Sequence, residues 1–266
     1  MQNNEPLVSV LMTAYNREKY IAEAIESVLA STFKNFELII LDDGSKDDTV
    51  AICKEYEAKD ERIKVFQNEK NIGQFQTRNK IVTYAKGKYI KYLDSDDTIY
   101  PYGLGVFVDG MEKFPEAAFG LCSAYDGRMP FPACITPAEI YWEHFNGFAH
   151  LYRAPGSSII RRDIFELENG FVTNLVAGDS EFWARLALRY KMVKVPRDLY
   201  WCRAHPGQIT NLFFSQHLDS GYGAIKKYLF SDQCPLTKGQ VRIVKKKLFR
   251  RKIKGEAVNF FNRFFK

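Results

Sequence analysis

Residues 94 to 98 read Asp-Ser-Asp-Asp-Thr, three carboxylates in four positions, directly after the run Lys88-Tyr89-Ile90-Lys91-Tyr92-Leu93. The aromatic and aliphatic side chains of that run predict a β-strand that ends in a charge cluster. Carboxylates this close raise one another's pKa unless a cation lies between them, so Asp94, Asp96 and Asp97 point to a divalent metal. A second apolar run, Phe36 to Leu41, ends in Asp42-Asp43-Gly44-Ser45. Carboxylates there can accept hydrogen bonds from a base N–H or from ribose hydroxyls, while an Asx-turn that starts a helix explains them equally well. Thr13, Tyr15 and Asn16 follow the first apolar run and can line the same crevice. Gly178-Asp179-Ser180-Glu181 puts two acids at a helix start, where they either cap the helix or hold a base rigidly. His205 follows a short strand in Trp201-Cys202-Arg203-Ala204-His205 and, beside an acidic metal site, is a candidate ligand or diphosphate contact.

Such groups need a scaffold that gathers strand ends. Leu7 to Met12 reads as a buried strand, and Ile21, Ala24, Ile25, Val28 and Leu29 then recur at helical spacing. Strand Phe36 to Leu41 is followed by a helix from near Asp47 or Asp48 towards Lys59. Strand Ile63 to Phe66 is followed by a helix around Thr77 to Ala85, with Gly87 as its C-cap. Strand and helix alternate four times, which predicts a mostly parallel α/β sheet with right-handed crossovers and helices on both faces. Ligands of such sheets bind at the carboxyl ends of the strands, where the carboxylates fall. The second half is less regular. It suggests a helix from about Tyr102 to Phe114, strands near Ala118 to Ser123 and Ser157 to Arg161, and a helix from Asp179 to Arg189. Short strands at Met192 to Val195 and Leu199 to Arg203 complete it, and beyond Leu212 the pattern is wholly helical. The Pro-rich stretch Met129 to Pro137 carries no clear pattern.

The apolar and charged fractions, 46% and 26%, are those of an ordinary folded protein of one large domain, or a domain with an appendage. Cys53, Cys122, Cys134, Cys202 and Cys234 show no C-x-x-C spacing, which argues against a zinc site or disulfide framework and for a reducing cytoplasm. The polar start, Met1 to Pro6, and the lack of a long apolar run give the expectation of a protein neither secreted nor integral to a membrane. Charge is unevenly spread. Lys238 to Lys266 carries eleven Lys or Arg and one acid, Glu256, leaving 27 basic and 31 acidic side chains elsewhere. A basic tail on a mildly acidic body implies an anionic surface as partner.

In order along the chain stand V-S-V-L-M-T-A-Y-N, L-D-D-G-S, N-I-G-Q-F-Q-T-R-N, Y-L-D-S-D-D, G-D-S-E-F-W-A-R and C-R-A-H-P-G-Q-I-T. Together these motifs, spread from Val8 to Thr210, resemble the family-two glycosyltransferases of GT-A fold, bacterial members especially. The resemblance implies a Rossmann-like GT-A catalytic domain over 1–211, with a nucleotide half at about 7–100 and an acceptor half at about 101–211. A basic helical extension over 212–266 would follow. It also implies that Thr13 and Tyr15 line the nucleotide pocket, Asp43 contacts the base, and Arg78 lies near the nucleotide or its phosphates. Asp94 would lie near the ribose or metal, Asp96 would coordinate Mn²⁺ or Mg²⁺, and Asp179 would be the general base with Glu181 beside it. His205 matches a histidine often found after the last sheet strand; Asn16, Asp42 and Asp97 are auxiliary candidates. The chain departs from the family pattern at Ala14, where Pro is usual, and at Gly178, where Glu usually precedes the base.

The implied reaction is transfer of a hexosyl or hexosaminyl group, with inversion, from a nucleotide sugar, a UDP-sugar above all. The acceptor would be a hydroxyl of a glycan or lipid-linked molecule in cell-surface polysaccharide synthesis. A cytoplasmic enzyme peripheral to the inner face of the cytoplasmic membrane follows, its tail on anionic lipid and no nucleic acid among its partners. Three alternatives bear on the same residues. A haloacid dehalogenase-type phosphatase also shows D-x-D-x-T after a strand, but on its first strand. A nucleotidyltransferase would need a Gly-rich loop where Thr13-Ala14-Tyr15-Asn16 stands, and a non-catalytic sugar-nucleotide or glycan-binding module would lack the base.

Overall fold

The computed structural model describes residues 5–205 and 214–250. Strand β1 (Val8–Ala14) pairs in parallel with β2 (Phe36–Asp42) on one side and β4 (Tyr89–Tyr92) on the other, and β2 pairs in parallel with β3 (Ile63–Gln67). The sheet continues through β8 (Ser158–Arg161), antiparallel to β4, then β6 (Ala117–Cys122), antiparallel to β8. Beyond it lie β9 (Lys191–Val195), parallel to β6, and β7 (Ala133–Ile135), antiparallel to β9. The order is β3-β2-β1-β4-β8-β6-β9-β7. It reverses at β1, and at such a switch point the diverging loops open a crevice beyond the strand ends. A separate ribbon joins β5 (Thr98–Ile99) antiparallel to β10 (Tyr200–Trp201), which brings the carboxylate loop of residues 94–97 against the segment that ends in His205.

Why both faces are covered is visible in the side-chain alternation. Val8, Val10, Met12, Leu38 and Ile40 lie in one buried cluster, with Ile21, Ile25 and Val28 of α1 (Ile21–Leu29) and Leu104, Phe107 and Val108 of α4 (Gly103–Lys113). Leu11, Ile39, Leu41 and Ile90 lie in the other, with Ile81 and Val82 of α3 (Gln74–Val82), Phe182 and Trp183 of α7 (Gly178–Leu186) and Ile140 of α5 (Pro137–Glu143). Successive strand residues point to opposite faces, so each face binds its own helices. Among the described residues the remaining α-helices are α2 (Thr49–Glu57), α6 (Arg162–Leu167), α8 (Phe214–Leu229) and α9 (238–250). Ile225, Leu229, Leu236 and Val244 from the last two helices and their link join the same cluster as Trp183.

The expected mostly parallel α/β sheet is present, with differences in detail. Helix α3 starts at Gln74, three residues before the predicted Thr77, because Gly73 (φ 99) turns the chain while its N–H donates to Asp43, 3.1 Å away. The irregular stretch around Met129 contains β7. The predicted C-terminal helix is two helices separated at 230–237, where Pro235 stands; its last part, 251–266, lies outside the described residues. So do 206–213, which hold the end of the last motif. No described helix is long and apolar enough to cross a membrane.

Candidate active site

The loops after β1 and β2 clamp each other. Asn16, in the left-handed region (φ 52), donates from its N–H to Ser45 Oγ at 2.8 Å and accepts from Lys46 N at 2.9 Å. Asp42 is fully buried and accepts from Gly44 N (3.0 Å) and Ser45 N (2.9 Å), an Asx-turn. Gly44 (φ 80) is required at that turn, since a Cβ would lie 3.0 Å from the backbone of Lys70 and Asn71. Asp43 is 4% exposed and accepts from Asn68 Nδ2 (2.9 Å), Ile72 N (2.9 Å) and Gly73 N (3.1 Å). The second acid therefore ties the 68–73 loop down beside the crevice. Tyr15 stands 43% exposed at the end of β1, with Thr13 partly exposed below it.

Across the crevice, Arg78 rises from α3, almost wholly buried, and donates to Asp94 Oδ1 at 2.6 Å. The Gln74 amide, turned so that its oxygen faces the guanidinium, accepts from it too. Asp94 and Asp179 both act on the Arg78 charge; against the cost of its burial, they raise its pKa above the ordinary guanidinium value. One buried cation thus links the carboxylate loop to the start of α7. Among the described residues Arg78 Nε has no hydrogen-bond partner. Asp179 is partly buried in the first turn of α7, its Oδ1 accepting from Ser180 N at 2.7 Å. Glu181 is turned into the α7–α8 packing, where it accepts from Arg185 Nε (3.0 Å) and from the hydroxyl of Tyr228.

The other two carboxylates differ in role. Asp96 Oδ2 accepts from Arg17 Nε at 3.1 Å and meets His205 Nε2 at 3.0 Å. Asp97 is 3% exposed and accepts from Arg203 N at 3.0 Å; burial first, then the charge of Asp94, pushes its pKa up to about 7. Among the described residues no three metal-ligating side chains converge. Asp96 and His205 still offer one hard oxygen and one imidazole at the loop's edge. That pair suits a small divalent ion whose shell is completed by phosphate oxygens and water.

Three cations at the site escape a reading of the sequence. Arg17 holds Asp96, and Arg203 donates to the Asp96 carbonyl (3.0 Å) and to Glu23. The third is Lys91, fully buried in β4, which donates to the carbonyls of Tyr92 (2.6 Å) and Gly156 and sits 4.8 Å from the Phe107 ring centre. Only Arg203 lies inside a recognisable motif, and nothing local marks its partners.

Burial lowers the Lys91 pKa from 10.5 to about 8. Between those values the unfolded chain binds more protons than the native state, so this group's contribution to stability rises with pH across that window, by up to about 3 kcal/mol. Denaturant unfolding at pH 8 and at pH 10.5 is expected to show wild type gaining on Lys91→Met by roughly that amount. A difference between the two proteins that does not change with pH contradicts it.

The family model described as glycosyl transferase family 2 matches residues 9–166, more than half of the chain. The chain belongs to that family. An uncharacterized glycosyltransferase of Rickettsia conorii is 46% identical over 249 residues, which is 86% of this chain and 38% of that protein. The chain thus spans well under half the length of this relative, as of its counterpart in Rickettsia felis, at 37%. Two solved structures share the GT-A fold. S. aureus TarS 1–349 in complex with UDP-GlcNAc has a TM-score of 0.72 at 21% identity, covering 97% of this chain and 76% of that one. The mannosyltransferase PcManGT of Pyrobaculum calidifontis, in complex with GDP-Man and Mn²⁺, has a TM-score of 0.65 at 18% identity, covering 84% and 65%. The phosphatase alternative falls here, since the D-x-D strand of this family-2 chain is β4, after three strand–helix units.

Proposed function

We propose that this chain is an inverting, metal-dependent glycosyltransferase that moves a sugar from a UDP-sugar to a hydroxyl of a glycan or lipid-linked acceptor, in cell-surface polysaccharide synthesis. The observation that carries the proposal is Arg78, whose buried guanidinium is bonded to Asp94 and acts electrostatically on Asp179. It places an acid of the nucleotide crevice and a candidate base on a helix start within the field of one buried cation. The complexes of TarS with UDP-GlcNAc and of PcManGT with GDP-Man and Mn²⁺ support the donor class.

In this mechanism Thr13 and Tyr15 line the nucleotide pocket, and Asp43 holds its floor and contacts the base. Asp94, fixed by Arg78, lies beside the ribose. Asp96 and His205 would hold Mn²⁺ or Mg²⁺, which when bound neutralises charge on the leaving diphosphate. Asp179 takes the proton of the acceptor hydroxyl at its carboxylate as that oxygen attacks the anomeric carbon from the face opposite the diphosphate. The single displacement inverts the centre. Residues 7–100 serve the nucleotide, 101–211 the acceptor, and the basic region from 212 onward an anionic membrane surface on the cytoplasmic side.

Asp96→Ala is expected to weaken Mn²⁺-dependent binding of UDP at least about tenfold, because Asp94 is occupied by Arg78 and Asp97 is buried against Arg203. Calorimetry with UDP and Mn²⁺ that returned wild-type affinity would remove Asp96 from the metal site. A non-catalytic sugar-nucleotide module remains the competing reading, because such a protein would bind UDP through the same crevice. It differs in one respect: substitution of Asp179 would have nothing to abolish.

A further inference from the structure

We propose that the outward side of α9 is a docking face for an anionic lipid surface; the inference rests on the functional reading above and fixes which residues make the contact. With 3.6 residues per turn, Arg242, Ile243, Lys245, Lys246, Phe249 and Arg250 share one side of the helix, and Val241, Val244, Lys247 and Leu248 the other. Exposure follows that division. Val244 is fully buried, with Val241 and Leu248 packed against the core beside it. Ile243 and Phe249 are 53% and 64% exposed, and the four cations around them are exposed as well.

Two large apolar side chains in water, ringed by four positive charges with no acid anywhere in 238–250, do not match the needs of a solvated surface. They match a headgroup layer, where the cations meet phosphates and Ile243 and Phe249 enter the acyl boundary. The face is about 20 Å long. The sequence beyond it adds five more Lys or Arg against one acid, together with Phe260, Phe261, Phe264 and Phe265, a composition of the same basic and apolar kind. A long polyanion such as a nucleic acid is the poorer occupant, because the rest of the chain carries 31 acidic against 27 basic side chains and would repel what extends past the helix.

The inner side of α9 makes this docking directional. Lys247 Nζ donates to Asn146 Oδ1 at 2.7 Å and to the Phe145 carbonyl at 3.5 Å, so the helix is bonded to the 144–148 turn of the acceptor half. A lipid surface against the outer side therefore holds the acceptor half at a fixed distance from the bilayer, where a lipid-linked acceptor is presented.

The test is co-sedimentation of the full chain with vesicles of phosphatidylglycerol and phosphatidylcholine, and of phosphatidylcholine alone, at low and high salt. Wild type is expected to bind the anionic vesicles, to lose binding as salt rises, and to bind the neutral ones far less. Lys245→Glu with Lys246→Glu should lower partition at least about 25-fold, at about fivefold per basic side chain removed. Ile243→Ser with Phe249→Ser should lower it at least about tenfold while leaving the salt dependence in place. Both variants should keep wild-type UDP affinity and melting temperature, since neither changes the inner side of the helix. Wild-type binding by both variants overturns the assignment to α9, and so does absence of binding by wild type. A dimer seen by light scattering and lost in the Ile243→Ser, Phe249→Ser variant, without vesicle binding, overturns it in favour of a second copy of this chain. UDP binding and sugar transfer are read separately, so these results stand apart from the fate of the enzymatic reading.

Discussion

Asp179→Asn is expected to lower sugar transfer by at least about a hundredfold, and by as much as about ten-thousandfold, with donor affinity unchanged. The amide is nearly isosteric, and its oxygen can still accept from Ser180 N, as the carboxylate does at 2.7 Å, so the first turn of α7 keeps its geometry. What is lost is the capacity to take a proton. Glu181 cannot substitute from where it stands, bonded to Arg185 and Tyr228 inside the packing of α7 against α8. Steady-state rates with acceptor, alongside UDP titration, separate the two effects. Transfer near the wild-type rate would take the base away from Asp179.

The second large effect is expected at Arg78, where Arg78→Met should cost about 3 kcal/mol of stability as well as most of the donor affinity. Removing one partner of a buried pair leaves an uncompensated charge, and Asp94 is exposed enough, at 28% of its side chain, to place the cost at the low end of the usual range. For a chain of this size that corresponds to a fall of roughly 6–12 °C in melting temperature. Arg78→Lys should recover part of the stability and less of the affinity, since an ammonium keeps the charge but cannot bond Asp94 and Gln74 as a planar fork does. Thermal denaturation and UDP calorimetry on both variants check this. A melting temperature unchanged in Arg78→Met would mean that Asp94 finds solvent at no cost and that the linkage to Asp179 is incidental.

Strands β1 and β2 were legible as apolar runs buried on both faces, β3 and β4 as short runs of β-branched and aromatic residues, and the carboxyl ends of β2 and β4 carried the acids. The structure brings those ends together as parallel pairing requires, Ala14 opposite Asp42 and Leu11 opposite Tyr92. Strand β7 was not legible. Its three residues follow Pro130 and Pro132, and they become a strand only through pairing with β9, about sixty residues later. The start of α3 was misplaced for a related reason, since the bond from Gly73 to Asp43 outweighs local propensity.

Buried cations were the larger omission. A lysine within a strand reads as its solvent side, yet Lys91 and Lys194 are both fully buried. Lys194 is neutralised by Asp126 at 2.8 Å and Glu143 at 3.2 Å, residues that no local pattern connects to it. At the site itself, Arg17 lies 79 positions from its partner Asp96, and Arg203 donates to the carbonyl of that residue from 107 positions away. The motifs located the carboxylates; long-range pairing decides which of them remain available. Asp42 is consumed in its Asx-turn and Asp97 is buried, while Asp43 ties down the 68–73 loop beside the crevice, Asp94 is held by Arg78, and Asp96 and Asp179 lie at the crevice with them.

The central claim, cleavage of a nucleotide sugar by this site, is tested most directly by incubating the chain with a panel of UDP-, GDP- and other nucleotide sugars plus Mn²⁺, without acceptor, and measuring release of free nucleoside diphosphate. The expected result is slow release from one donor, a UDP-sugar, that requires the metal and is lost in Asp96→Ala. Release from none of the donors, while UDP still binds, would contradict an enzymatic role and leave the chain a nucleotide-sugar binding module.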